Sequence, residues 1–280
     1  MTQEERLDAL IAYFSDEEGC ADHGVPAEGE SEDEKKNTLR ALVNVRPPKK
    51  TDKKILKIQD EYLREENNKK GVVLLRYMNT VAQEFSRNEA WADEVYLWQG
   101  DITRLAVGAI VNAANQRMLG CFVPLHNCID NCIHSAAGVQ LREECAKGVE
   151  ALLRSGTYSS PVAVPLLTKG YNLPAEHVIH VVGPAVGGRT PTEASRKDLR
   201  ACYVNVLDLC AEKNIDSVAF CCISTGVFGY PAQEAAQIAV RTVTEWLNKH
   251  KDKKIKVLFN VFTDTDADIY KQIFRGRTNL

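Results

Sequence analysis

Three potential metal ligands, Cys121, His126 and Cys128, lie close together in the middle of this sequence. Two thiolates and one imidazole are good zinc ligands, and three protein ligands leave a fourth position for water or substrate. We therefore predict one Zn²⁺ ion per chain at these residues, and the open position is typical of a catalytic zinc. A closed structural site is the alternative, with Cys132, one helical turn after Cys128, or His134 as fourth ligand. A set of ordinary thiols without metal is a third interpretation.

Three polar loops each follow a strand-like apolar run. The first, residues 100–103, contains Asp101, which could also simply cap the next turn. The second, residues 112–115, places two small residues between two asparagines, whose amides can hydrogen-bond to hydroxyl groups of a ligand, although an Asn-rich turn would look the same. The third, residues 224–231, has two glycines ahead of a predicted helix, and exposed amides at that position can bind a diphosphate.

The elements that must position these loops alternate between strands and helices from about residue 94 onward. The strand-like runs are EVYLW, GAIVNAA, VAVPL, HVIHVV, SVAFCCI and KIKVLFNVF. Helical patterns lie between several of them, at about residues 130–147, 192–213, 232–250 and 266–274. Short apolar strands that alternate with helices predict a mostly parallel sheet covered on both faces. Ligands of such sheets bind at the carboxyl ends of the strands, where the three loops lie.

The first 90 residues are more polar and predict a helical extension. The apolar face of a first helix consists of Leu7, Leu10, Ile11 and Phe14. A second helix should end before Pro47, and a third should cover roughly residues 52–69. Residues 4–34 include twelve acidic residues, which predict a solvated acidic loop or, alternatively, a surface that docks a partner. We therefore divide the chain into an extension, residues 1–90, and an α/β domain, residues 91–280.

The composition limits the partners and the compartment. A formal net charge of −3 and a pI of about 6.1 provide no basic field for binding nucleic acid. The sequence has no apolar run of membrane-spanning length and no secretory leader pattern, so we expect no membrane contact. Nine cysteines, an odd number, favour reduced thiols or metal ligands over a disulfide framework. We expect a cytoplasmic protein.

The remaining cysteines and histidines have simpler interpretations. His180 lies in the middle of a predicted strand, where a core histidine with hydrogen-bond partners is expected. His134 should pack along its helix, although a place near the ligand is possible. The role of Cys20, in the acidic loop, is open. Thiols packed in the core are predicted at Cys145, Cys202, Cys210, Cys221 and Cys222.

Taken together, the motifs resemble the macrodomain family in order and spacing. GDIT is followed by NAAN, by a D-x-x-I-H-x-A-A-G helix that starts at Asp130, by HVVGP and by STGVFGYP, across roughly residues 94–275. The resemblance implies a three-layer α/β/α fold that binds ADP-ribose. It implies that Asp101 binds the adenine amino group beside the backbone of Ile102, and that Asn115 holds the distal ribose. The other ADP-ribose contacts that it implies, around the diphosphate and its ribose, are Ser224, Thr225, Gly226, Val227, Phe228 and Gly229.

One segment departs from most hydrolytic macrodomains, which carry a glycine run between NAAN and the Asp130 helix. Here the segment is longer and contains C-x4-H-x-C, which resembles the zinc-dependent macrodomains of bacteria and some fungi. Members of that subfamily also carry an N-terminal extension, and their metal ligands match Cys121, His126 and Cys128. The resemblance implies a hydrolase that removes mono-ADP-ribose from protein side chains and releases ADP-ribose, with Asp130 and Asn115 in the catalytic positions.

The same resemblance implies a partner, a mono-ADP-ribosylated lipoyl-carrier protein that a sirtuin-like transferase modifies. It leaves the mechanism open, because zinc could activate a water molecule or orient a ribose hydroxyl while Asp130 steers the water. Asp130 could also cap its helix. A reader module that binds ADP-ribosylated protein without turnover is one alternative function, although binding alone requires neither Asp130 nor a metal. A deacetylase acting on O-acetyl-ADP-ribose in the same pocket is the other.

Overall fold

The computed structural model describes residues 1–17, 31–156 and 160–277. Much of the predicted acidic loop, including Cys20, therefore lies outside the described residues. The chain forms a three-layer α/β/α domain that carries three further helices at its N-terminus. Among the described helices, none combines the length and the apolar character that crossing a bilayer requires.

A six-stranded sheet forms the middle layer. Its strands are β2 (Val95–Gln99), β4 (Ala109–Ala113), β5 (Leu166–Lys169), β6 (His177–Val181), β7 (Ser217–Phe220) and β8 (Lys256–Val261). They lie in the order β2-β8-β7-β4-β6-β5, and every pair is parallel except β5 with β6. A separate parallel pair joins β1 (Val73–Leu74) to β3 (Leu105–Ala106). Because both faces of the sheet are covered, β7 is buried along its whole length, and the prediction of a mostly parallel sheet is confirmed.

The described helices follow the predicted periodicity, apart from α4, which was not predicted, and one interruption in the helix predicted over residues 130–147. They are α1 (Gln3–Ser15), α2 (Glu32–Val45), α3 (Lys53–Lys69), α4 (Val81–Phe85), α5 (Ile129–Ala137), α6 (Val139–Arg154), α7 (Glu193–Lys213), α8 (Ala232–Lys249) and α9 (Asp264–Phe274). The single helix predicted over residues 130–147 is wrong, because Gly138 separates α5 from α6. Gly138 has a φ of +101°, and a Cβ there would lie 2.7 Å from the side chain of Gln59.

The run VAVPL was predicted as a strand, and this prediction is also wrong for most of its length. Strand β5 begins at Leu166, where the run ends. Val162 makes only an isolated bridge to Val182, and Ala163 has a left-handed φ of +60°. An apolar run alone cannot distinguish a strand from a buried turn that leads into one.

The extension packs on the domain and does not stand apart from it. Helices α1 to α3 share a small core that includes Leu10 and Phe14 and extends to Val139 of α6. Asn67 of α3, which is buried, donates to the carbonyl oxygens of Ala136 at 3.1 Å and Asn172 at 2.8 Å. Residues 73–85 contribute to the larger core around the sheet. The boundary at residue 90 stays a prediction.

Candidate active site

Cys121, His126 and Cys128 come together in the loop between β4 and α5. Sγ of Cys121 lies 3.6 Å from Nδ1 of His126, and all three ligand atoms lie within 4.8 Å of one another. Zn–S bonds of about 2.3 Å and Zn–N bonds of about 2.0 Å place sulfur and nitrogen about 3.5 Å apart in a tetrahedral site. The donor set and its spacing therefore fit a zinc ion.

The two residues that could close this site as a fourth ligand lie elsewhere. The sulfur of Cys132 is 3.8 Å from Nη2 of Arg40 and lines a separate cavity. His134 belongs to a second, fully buried group with Cys145 and His180. Within the described part of the chain, no other His, Cys, Asp or Glu side chain joins the three-ligand group. The geometry favours a site with an open coordination position.

Asp130 lies two residues after Cys128, and both of its carboxylate oxygens are held. Asn112 donates from Nδ2 to Oδ1 at 2.8 Å, and Asn115 donates from Nδ2 to Oδ2 at 2.9 Å. Burial raises the pKa of Asp130, while the hydrogen bonds from the two asparagines oppose that rise. The proposed capping role falls to Cys128 instead, whose Sγ accepts a hydrogen bond from the backbone N–H of Asn131. Asp130 is thus a buried carboxylate with a fixed orientation in the first turn of α5.

Asn115 connects this carboxylate to residues 117–128, which carry the three candidate ligands and are here called the metal-binding loop for that candidate role. Besides Asp130, its Nδ2 donates to the carbonyl oxygen of Gly120 at 3.0 Å, and its Oδ1 accepts from the N–H of Arg117 at 2.9 Å. Both ends of the amide are therefore engaged inside the protein. The expected contact of Asn115 with a distal ribose stays a prediction.

A hydrogen-bond chain that the sequence did not predict lies behind Asp130 and runs through Asn112 to His180. Asn112 and His180 are register neighbours on the parallel strands β4 and β6, and Nδ2 of Asn112 lies 3.0 Å from Nδ1 of His180. Because the amide nitrogen can only donate, Nδ1 must accept, and the ring hydrogen is on Nε2, 3.1 Å from Oγ1 of Thr168. Burial lowers the pKa of His180 to about 3, so the ring is neutral. The prediction of a partnered core histidine is confirmed.

The ring of His134 packs against the loop that carries the three candidate ligands, at Gly120. Its ring is buried, and neither ring nitrogen has a hydrogen-bond partner among the described residues. Nε2 lies 3.6 Å from Oδ1 of Asp130, and burial lowers the pKa of the ring well below its usual value. A Cβ on Gly120, whose φ is +81°, would lie 2.8 Å from this ring. Glycine immediately before Cys121 therefore allows the loop to pass directly over His134.

Asp101 and Ile102 line a cavity of about 660 Å³ between the extension and the domain. Oδ1 of Asp101 accepts from the N–H of Thr103 at 2.9 Å, so the turn-capping interpretation is correct for this oxygen. Oδ2 has a weaker contact, with Nζ of Lys70 at 3.9 Å, and the side chain is 38% exposed. One carboxylate oxygen therefore remains accessible to an amino group of a ligand.

The loop at residues 224–230 presents three consecutive free amides. The N–H groups of residues 226–228 have no acceptor within the described ranges, whereas Gly229 donates to the carbonyl oxygen of Gly226 at 2.9 Å and closes the turn. The loop leads through Pro231 into α8. Free amides ahead of a helix N-terminus form a concave site of positive potential, which suits the oxygens of a diphosphate.

Ser224 and Thr225 lie at the base of this loop and are turned inward. Thr225 donates to the carbonyl oxygen of Cys222 from its N–H at 3.4 Å and from Oγ1 at 3.0 Å. Ser224 has a left-handed φ of +68° and a buried hydroxyl against Gly183. The accessible amides are therefore those of residues 226–228, a narrower set than the predicted one.

A second glycine-containing loop, residues 183–188, is hydrogen-bonded to the loop at residues 224–230. Of this second loop, the sequence motif HVVGP includes only the first two residues. The N–H groups of Val186 and Gly187 both donate to the carbonyl oxygen of Phe228 at 2.9 Å. Gly188 donates to the carbonyl oxygen of Gly229 at 3.1 Å. A Cβ on Gly229 would lie only 2.5 Å from the Gly188 nitrogen. The adjacent glycines 187 and 188 were the available signal for this contact.

Comparison with known proteins agrees with this geometry. The Macro domain family profile matches residues 111–239. A protein-ADP-ribose hydrolase of Treponema medium is 44% identical over 273 residues, which cover 98% of this chain and 99% of that protein. The chain belongs to the macrodomain family.

A second hydrolase and a solved macrodomain structure are also similar to this chain. A protein-ADP-ribose hydrolase of Staphylococcus aureus (strain MSSA476) is 44% identical over 236 residues, or 84% of this chain and 83% of that protein. The crystal structure of the Trypanosoma brucei macrodomain in complex with ADP-ribose has a TM-score of 0.61 and 28% identity, and the match covers 84% of this chain and 94% of that one. The match to the Treponema protein spans the N-terminal helices as well as the macrodomain.

Proposed function

We propose that this macrodomain is a zinc-dependent protein-ADP-ribose hydrolase, which removes mono-ADP-ribose from modified protein side chains. The observation that carries the proposal is the three-ligand group of Cys121, His126 and Cys128 next to a buried carboxylate, Asp130. Binding ADP-ribose alone requires neither feature. The names of the Treponema and Staphylococcus relatives support the same activity.

The ligand would lie along the carboxyl edge of the sheet. We place the adenine at Asp101 and Ile102, where one carboxylate oxygen is accessible, and the diphosphate at the free amides of residues 226–228. Phe228 packs against the small cluster of Ala114, Met118 and Val182, and we assign it to the ribose side of the same loop. The distal ribose then lies toward Asn115 and the metal-binding loop. The ADP-ribose bound in the Trypanosoma brucei macrodomain supports this choice of ligand.

In the proposed reaction, a bound zinc ion would supply a Lewis acid beside the distal ribose. Asp130 accepts a hydrogen bond from the attacking water and orients its oxygen toward the anomeric carbon. Asn112 and Asn115 hold the plane of the carboxylate during this step, because each donates to one of its oxygens. The water oxygen forms the new bond to the anomeric carbon. The bond to the acceptor side chain breaks, and that side chain leaves with the proton that the attacking water gives up.

The test is release of free ADP-ribose from a mono-ADP-ribosylated acceptor. We expect turnover by the zinc-loaded protein and none by His126→Ala or Asp130→Asn. Cys210→Ala, which removes a buried core thiol of α7, is the control and should retain activity. Binding of the modified acceptor without any release would instead identify a reader, and release of acetate alone from O-acetyl-ADP-ribose would identify a deacetylase.

A mono-ADP-ribosylated lipoyl-carrier protein is the acceptor that we propose, on the basis of the sequence resemblance. The same assay, run in parallel with a carrier protein and with an unrelated acceptor modified on the same kind of side chain, measures this preference. Equal rates on both would refute the carrier as the specific substrate.

A further inference from the structure

The metal-binding loop has no regular structure of its own. Residues 117–128 contain neither helix nor strand, and both Met118 and Leu125 adopt left-handed φ values, of +52° and +56°. Each such residue costs free energy that the surroundings must offset. The loop therefore depends on contacts from other elements for the geometry of its three ligands.

Helix α2 of the extension supplies one of these contacts at His126. Nη2 of Arg40 donates to the carbonyl oxygen of His126 at 2.9 Å, and both Nε and Nη2 donate to Oδ1 of Asn131, at 3.2 and 2.9 Å. Asn131 in turn donates from Nδ2 to the carbonyl oxygen of Val123 at 3.0 Å. Arg40 thus holds one metal ligand directly and orients the amide that holds the middle of the loop.

Asn44, one turn further along α2, supplies the second contact. Its Oδ1 accepts from the N–H of Leu125, the left-handed residue immediately before His126, at 3.0 Å. Its Nδ2 donates to Oγ of Ser135 on α5 at 3.0 Å. Asn44 is only 1% exposed, and loss of its side chain would remove the acceptor of the Leu125 N–H and leave Oγ of Ser135 with only its hydrogen bond to Asn131.

Arg142 of α6 fastens the end of α2 to the other end of the loop. It donates to the carbonyl oxygens of Val43 and Asn44, in the last turn of α2, at 3.0 and 2.9 Å. It also donates to those of Leu119 at 2.8 Å and Cys121 at 3.4 Å. One buried guanidinium therefore links the carbonyl end of α2 to the first metal ligand, where a cation is electrostatically favourable.

We propose that helix α2 of the extension positions the metal centre, with Arg40 and Asn44 as its positioning residues. Neither side chain provides a metal ligand in the proposed site. They act through His126 and Leu125, by fixing the backbone that carries the ligands. The inference rests on the proposed function in one respect, namely that this loop binds zinc. Loss of such outer contacts typically lowers metal affinity by about 10-fold to 100-fold.

The experiment measures metal affinity directly. Zinc is titrated from the full-length protein with a chromogenic chelator, and Co²⁺ is substituted to record the thiolate charge-transfer and d–d bands. We expect Arg40→Ala and Asn44→Ala each to weaken zinc binding by about 10-fold to 100-fold and to shift the cobalt bands. Arg40→Lys keeps the charge but presents one donor nitrogen in place of the two that Arg40 uses, so its zinc affinity should fall between those of Arg40→Ala and the parent protein.

Lys35→Ala is the matched control. Lys35 lies on the same helix, but its ion pairs are to Glu4 and Asp8 of α1, so its removal should leave the zinc affinity unchanged. ADP-ribose affinity and the melting temperature of the metal-free variants report whether each variant is folded. If the folded Arg40 and Asn44 variants bind zinc as tightly as Lys35→Ala does, the positioning role is refuted. If the parent protein itself binds no zinc, the proposed function fails instead.

Discussion

His180 makes the folded protein sensitive to mild acid, and the size of the effect follows from its environment. Burial lowers the pKa of this ring from 6.5 to about 3. Protonation would also place a second N–H of the ring against the amide N–H of Asn112, which already donates to it. The unfolded chain has no such penalty and binds the proton first. The contribution of His180 to the free energy of unfolding is therefore fully present above about pH 6.5 and is lost as the pH falls toward the folded-state pKa.

The substitution His180→Asn removes the titrating ring but keeps a hydrogen-bond acceptor for Asn112. Its Oδ1 can take the place of Nδ1 and accept from Asn112, although the lost ring should cost stability at neutral pH. Between pH 7 and pH 5, the pKa difference at His180 lowers the free energy of unfolding by about 2 kcal/mol. His134, whose pKa is also lowered, remains in both proteins, so its contribution largely cancels in the comparison.

The assay is urea unfolding of the metal-free proteins at pH 7 and pH 5, followed by tryptophan fluorescence. The parent protein should lose about 2 kcal/mol more than His180→Asn between the two pH values. Use of metal-free protein excludes a contribution from acid release of zinc. Parallel losses in the two proteins would refute the reasoning and would mean that His180 titrates similarly in the folded and unfolded states.

Three further outcomes follow from the site. A chelator should abolish ADP-ribose release and leave ADP-ribose binding intact in calorimetry, with zinc restoring turnover; loss of binding as well would contradict the assignment of adenine to Asp101 and of the diphosphate to residues 226–228. Asp101→Asn keeps the turn cap but presents an N–H₂ group to the adenine, so ADP-ribose affinity should fall about tenfold, or about 1.4 kcal/mol; unchanged affinity would remove Asp101 from the site. Gly229→Ala forces a Cβ against Gly188 and should lower the free energy of unfolding by about 1–3 kcal/mol. Gly226→Ala, with open space around it, should lower it less, and equal melting temperatures of the two variants would contradict this.

The sequence was sufficient for the fold because its signals are local and mutually consistent. Five of the six apolar runs correspond to strands, and the helical periodicities lie between them. The errors have a common cause. Gly138 interrupts one predicted helix where the chain lies against Gln59 of the extension, and Ala163 turns where it is hydrogen-bonded to Val182 and Asn205, contacts that periodicity does not encode.

The candidate site was predictable only in part, for the same physical reason. Cys121, His126 and Cys128 lie within one short segment, residues 121–128, so their spacing alone indicated a shared site. Partners from distant segments carried no comparable signal. Asn112 and His180 are 68 residues apart and meet only through the register of two parallel strands. Likewise, Arg142 carries one charge among many in the sequence, and its role appears only where it joins α2 to the metal-binding loop.

The first turn of α5 and its N-cap residue contact three different parts of the protein. Cys128 caps the helix and belongs to the three-ligand group, Asp130 is held by Asn112 of β4 and by Asn115 just after it, and Asn131 connects to Arg40 of the extension. Successive residues of a helix point about 100° apart, so these neighbours in sequence face three different structural units. A shift of α5 would therefore disturb the metal group, the carboxylate and the extension together. For this reason, variants in α2 should change metal binding even though α2 contributes no ligand.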